Sequence, residues 1–135
     1  DLTVSFWLSG EKFCYGVGLS EIAGILQGGK RVAALRTSKW PKPVAPEIAD
    51  AKGHVVIGWE ALKNALSTKR WHFYQMSLGA DGAFQLWEDG RLLGTAALPP
   101  LTGDALSLRF GGFVGYLDDL HVQSGVLPPA KTAAN

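Results

Sequence analysis

The stretch "RWHFYQMSLGADGAFQLWEDGRLLGTA", residues 70–96, holds Asp-Gly twice, at Asp81-Gly82 and at Asp89-Gly90. Each pair separates runs rich in aromatic and branched residues: "WHFYQMSL", "AFQLWE" and "RLLGTAAL". Asp and Gly tolerate the positive φ that tight hairpin turns demand, so Asp-Gly between alternating runs is a strong hairpin signal. Two hairpins in series predict an antiparallel meander of three strands, which Pro99-Pro100 ends.

The flanking sequence extends the pattern. In "LTVSFWLSG" (2–10), Leu2, Val4, Phe6 and Leu8 fall on one face of a strand, with Thr3, Ser5 and Trp7 on the other. This alternation starts with no lead-in, as if the chain opened inside its first strand. "EIAGILQ" and "RVAALR" read as two strands joined by a tight turn at Gly28-Gly29, with a helical turn over "SEIAGIL" as the alternative. "HVVIGW" reads as a short strand, and "WEALKNALSTKR" has helical spacing enough for two to three turns at most. "ALSLRFGG" and "VGYLDDLHVQ" supply two more strands. Residues 36–54 carry Pro41, Pro43 and Pro46 without usable periodicity and read as a proline-rich loop insertion. Many short strands with turn residues between them predict an all-β fold, an antiparallel two-sheet β-sandwich of jelly-roll type. It spans residues 1–123, with 124–135 as a tail or linker.

Composition narrows the function. The 135 residues make one domain with a real core. Thirteen Lys and Arg against twelve Asp and Glu are too balanced for a nucleic-acid or membrane-surface binder. No apolar run approaches the ~18 residues of a membrane-spanning helix. Cys14 is the single cysteine, so no internal disulfide forms, and it reads as a small hydrophobe.

The strand motifs resemble the laminin-G-like jelly rolls of the concanavalin A-like lectin and glucanase superfamily. The matching segments are "LTVSFWL" (2–8), "WHFYQMSLGADG" (71–82), "FQLWEDGRLLGTA" (84–96) and "GYLDDLHV" (115–122). The resemblance implies a non-catalytic recognition module of a secreted or cell-surface protein, binding carbohydrate or a protein partner. Alternatives are a structural or assembly domain whose edge strands pair with neighbouring chains, and an accessory domain of a larger glycoside hydrolase. Two departures stand out. Domains of this kind usually carry further N-terminal strands, expected to be absent here and to leave an edge open to self-association. Glu88 stands where the family has an apolar residue, so it needs a partner or a marginal position.

Exposed aromatic rings suit sugar binding, because the apolar face of a pyranose stacks on them. Trp87, on the solvent face of its strand, Trp40 in the proline segment and Trp59 at a strand end are the candidate ligand-binding residues. Trp7 and Trp71 are expected in or at the edge of the core. Leu117, Leu120 and Val122 cannot share one face by simple alternation, which predicts a bulge at Asp118-Asp119. One of these aspartates would then point into covered space, satisfied by backbone donors or by a structural Ca²⁺. No other cofactor is implied. The glutamates are each isolated, without the alternating carboxylates of the superfamily's glucanases, so no enzyme activity is expected.

Overall fold

The computed structural model describes residues 1–13, 20–38, 45–102 and 105–125. Ten strands and one helical turn are described. In chain order they are β1 (Leu2–Lys12), β2 (Ser20–Gln27), β3 (Lys30–Ser38), β4 (Ala45–Asp50), β5 (Val55–Ile57), α1 (Trp59–Leu62), β6 (Trp71–Leu78), β7 (Ala83–Glu88), β8 (Arg91–Ala97), β9 (Leu106–Phe110) and β10 (Val114–Ser124). They form two antiparallel five-stranded sheets, ordered β10-β1-β6-β7-β8 and β5-β4-β3-β2-β9. The predicted two-sheet sandwich is the observed architecture.

The core is the layer between the sheets. Alternation sends Val4, Phe6 and Leu8 of β1, Tyr74, Met76 and Leu78 of β6, and Phe84 and Leu86 of β7 inward, all of them buried. They meet Ile22, Ile25, Leu35 and Ile48 of the second sheet. The ring of Phe6 lies edge-on to Phe110 at 5.1 Å, so the first sheet rests on β9 at this point.

Both Asp-Gly pairs turn corners, by different means. Asp89 and Gly90 have φ of 51° and 81° and form a two-residue turn that pairs Glu88 with Arg91. The first corner takes four residues, 79–82, closed by Gly79 N–H to Ala83 O at 2.8 Å. There Gly82 adopts φ of 95°, and a Cβ on it would stand 1.9 Å from the carbonyl oxygen of Leu98. Gly28-Gly29 joins β2 to β3 as expected, with φ of 58° and 79°.

Three expectations are corrected. Residues 36–54 are not one loop: β3 runs to Ser38, and β4 occupies Ala45–Asp50. Pro46 is tolerated because β5 pairs only with Ile48 and Ala49, leaving Pro46 laddered on one side, to Thr37 of β3. The helix is a single turn rather than two or three. Beyond it Leu66 bends into left-handed backbone (φ 57°), where the Tyr74 hydroxyl accepts its N–H. The third concerns the tail, since β10 extends to Ser124. Residues 126–135, Cys14 and Trp40 lie outside the described residues.

β10 shows the expected bulge and more. Ser5 pairs with His121 and Trp7 with Asp118, so β10 carries one extra residue there, and Asp119 takes φ of 53°. The bulge brings Leu117 opposite Leu8 and Val122 opposite Val4, on the core side of the sheet. That side is nonetheless open, and all eleven residues of β10 are exposed. Neither aspartate therefore points into covered space, contrary to expectation. β10 and β9 are the edges of their sheets at one end of the sandwich, and no described segment caps β10.

Candidate functional site

The outward face of the β10-β1-β6-β7 sheet gathers most of the aromatic rings not used in the core. Register explains why. Ser9 of β1 lies between Tyr116 and Trp71, and Trp7 lies between Asp118 and Phe73. Ser5 lies between His121 and Gln75, and Gln75 is followed by Trp87. Each small serine leaves room above it. Over Ser9 the rings of Trp71 and Tyr116 lean together to 6.4 Å, while Trp7 leans on Phe73 at 5.3 Å.

Trp7, Trp71, Asp118 and Asp119 line a depression of about 430 Å³. Trp71 is 49% exposed and Tyr116 64%, so Trp71 is not the core-edge residue expected. Trp7 is half-buried and likewise faces outward. One carboxylate is held by a backbone amide and the other by a side chain. Asp118 Oδ1 accepts the Asp119 N–H at 2.8 Å, and Asp119 Oδ1 lies 2.8 Å from His121 Nε2, which donates to it.

Of the candidate tryptophans, Trp87 shares this face but is half-buried, and its buried indole N–H has no hydrogen-bond partner among the described residues. Trp59 begins α1, on a different element, and is half-buried. The structure does not bring these two together. For calcium, Asp118 and Asp119 offer two carboxylates, each with one oxygen already engaged. Ca²⁺ takes six to eight oxygens, so the described residues here do not complete a calcium site.

On the inner side of the same sheet, behind the aromatic face, runs a polar network that the sequence alone does not assemble. Asp89, held in the β7–β8 turn, accepts the Phe73 N–H on Oδ1 at 2.8 Å and the His72 Nδ1–H on Oδ2 at 2.6 Å. The other nitrogen of His72 faces the Ser67 hydroxyl. The neighbouring Glu88, 4% exposed, accepts the Tyr74 hydroxyl on Oε2 at 2.6 Å, which is the partner its position required. Burial, reinforced by the Glu88 carboxylate, holds the Tyr74 phenol above the ordinary tyrosine range. His72, Glu88 and Asp89 present ligand atoms within 4.8 Å of one another and could hold a metal ion. In this structure those groups are engaged in the bonds just described. Residues 67, 72 and 89 belong to a loop, a strand and a turn, and only their "WH" and "DG" contexts marked them in sequence.

No family profile matches the sequence. No curated protein matches it. Solved structures do. Domain 4 of AbnA, a GH43 extracellular arabinanase from Geobacillus stearothermophilus in complex with arabinotriose, superposes with TM-score 0.66 at 17% identity, over 95% of this chain and 62% of that one. The binding domain of botulinum neurotoxin DC in complex with rat synaptotagmin II gives 0.62 at 15% identity, over 95% and 33%. The botulinum neurotoxin serotype D ligand-binding domain in complex with N-acetylneuraminic acid gives 0.60 at 18%, over 95% and 34%. At such identities the likeness establishes the fold, a β-sandwich shared with binding domains. The chain spans 62% of the arabinanase domain and about a third of the neurotoxin domains. Among the described residues no helix is long and apolar enough to cross a membrane.

Proposed function

We propose that the domain is a non-catalytic carbohydrate-recognition module of a secreted or surface-displayed protein, of the laminin-G-like kind that its strand motifs resemble. The observation that carries this reading is the depression on the outward sheet face, where the exposed Trp71 ring and the Trp7 ring meet two carboxylates. Indole faces stack on the apolar face of a pyranose, and carboxylates accept hydrogen bonds from its hydroxyls. Neighbours solved with arabinotriose and with N-acetylneuraminic acid support a sugar as the ligand class. Trp87 extends the same face and is a secondary contact, Trp59 is a candidate for a contact away from it, and Trp40 stays a candidate from the sequence alone.

The test is titration with a panel of oligosaccharides, followed by tryptophan fluorescence. Trp71→Ala is expected to lower affinity at least tenfold while leaving the unfolding midpoint nearly unchanged, since the ring is half exposed. Truncating an aromatic that anchors a ligand costs about 2 kcal/mol or more, above the roughly 1.4 kcal/mol of a tenfold change. Absence of saturable binding across the panel rejects the reading.

A second reading has its own observation. β10 is a long edge strand exposing Val114, Tyr116, Leu117, Leu120 and Val122. Such an edge pairs readily with another strand, which supports an assembly role through neighbouring chains. Leu120→Lys is then expected to shift light scattering toward monomer, and identical monomeric behaviour of both proteins at high concentration rejects it.

A further inference from the structure

We propose that the sugar taken by this face carries a positive charge, as a glucosamine residue with a free ammonium does. The proposal rests on the carbohydrate reading above and names the ligand class of that same site. Neutral sugar hydroxyls are each donor and acceptor, and sites that hold them supply both kinds of partner. The lining of this depression is lopsided. Asp118 and Asp119 contribute carboxylates, which when ionised only accept, and the two indoles add electron-rich ring faces with one N–H apiece. An ammonium matches that lining, being a donor three times over with no acceptor. It is also attracted to tryptophan faces within about 6 Å of the ring centroid.

The carboxylates are available for such a ligand. Among the described residues no Lys or Arg pairs with Asp118, whose one used oxygen takes only the Asp119 N–H. Asp119 gives one oxygen to His121 and keeps the other. The left-handed backbone of Asp119 at the bulge is what sets two successive carboxylates at the rim of the indoles, where regular alternation would send them to opposite faces. The chain as a whole is almost uncharged, at +1, so this local anionic concentration on an aromatic floor is a property of the site rather than of the protein.

The experiment is calorimetric titration of the whole chain with three oligomers of equal length: glucosamine, N-acetylglucosamine and glucose. Glucosamine oligomers are expected to bind about tenfold tighter than the other two at low salt, with the preference lost near 1 M salt. Asp118→Asn keeps the acceptor for the Asp119 N–H and so preserves the bulge. It is expected to remove most of the preference, lowering the affinity for glucosamine oligomers several-fold more than the affinity for the neutral ones. Equal affinity for all three, or a preference untouched by Asp118→Asn, overturns the charge assignment and leaves the carbohydrate reading standing. Binding of none of them, with binding of other neutral glycans, likewise overturns only the charge assignment. Silence across the whole panel overturns both.

Discussion

Replacing Tyr74 by Phe removes one oxygen that serves two buried groups. The hydroxyl donates to Glu88 Oε2 at 2.6 Å and accepts the Leu66 N–H at 3.0 Å. Phe keeps the ring contact with Phe6 at 5.7 Å, so packing is nearly conserved. Left behind are a carboxylate that is 4% exposed, with only Arg91, at 3.7 Å, as a cationic partner among the described residues, and an amide in left-handed backbone. A hydrogen bond to a charged group contributes about 1.5–3 kcal/mol, and an orphaned buried donor costs about 1–3 kcal/mol. The expected loss is thus about 3–5 kcal/mol, a large part of the roughly 5–15 kcal/mol typical of a domain. Urea unfolding followed by tryptophan fluorescence measures it, as a midpoint drop of about 2 M for a slope near 2 kcal/mol/M. In a Glu88→Leu background the same change strands only the amide and is expected to cost about 1–3 kcal/mol. Alkali provides an independent check. The phenol's folded pKa is raised by burial and by Glu88, so its contribution is intact below the unfolded value near 10. Above that pH the unfolded chain releases a proton that the folded chain keeps, and stability falls by about 1.4 kcal/mol per pH unit. Tyr74→Phe must lack that component of the decline. A loss below about 1 kcal/mol, or equal alkaline slopes in both proteins, refutes the reasoning.

Two further predictions concern the frame. Gly82→Ala places a methyl 1.9 Å from a backbone oxygen in left-handed φ, and is expected to cost more than about 3 kcal/mol by urea titration. Arg36 and Glu47 form a buried pair at 2.6 Å between β3 and β4. Glu47→Ala strands the guanidinium and is expected to cost about 3–5 kcal/mol, whereas the double change Arg36→Met, Glu47→Leu is expected to cost far less; thermal unfolding of the two variants separates the cases.

The alternation of Leu2, Val4, Phe6 and Leu8 was readable because both periodicity and hydrophobicity pointed the same way, and those side chains are buried. The bulge was readable from a conflict, three apolar residues whose spacing no regular strand can reconcile. β4 was hidden because Pro46 signals a loop locally, while its tolerance depends on how far β5 reaches, which is tertiary information. Trp71 departs from its expected core-edge place for a similar reason. Its strand alternates in favour of Tyr74, Met76 and Leu78 facing inward, which turns Trp71 and Phe73 outward and His72 in. Hydrophobicity alone ranks the indole for the core and the imidazole for solvent, and the Asp89 carboxylate reverses that order for His72. The site itself needed β10 beside β1, a pairing between residues more than a hundred positions apart.

Asp81 and Asp89 occupy similar dipeptides, yet evolution would find them unequally replaceable. The carboxylate of the former steadies its own corner through the Ala83 amide, a local service that Asn can perform as well. The latter is a junction: one oxygen reaches back to an adjoining strand, the other orients an imidazole and, through it, a serine. Randomised libraries at the two positions should therefore return a tolerant spectrum at 81 and a narrow one at 89, and a turn motif in this protein encodes neighbours as well as curvature.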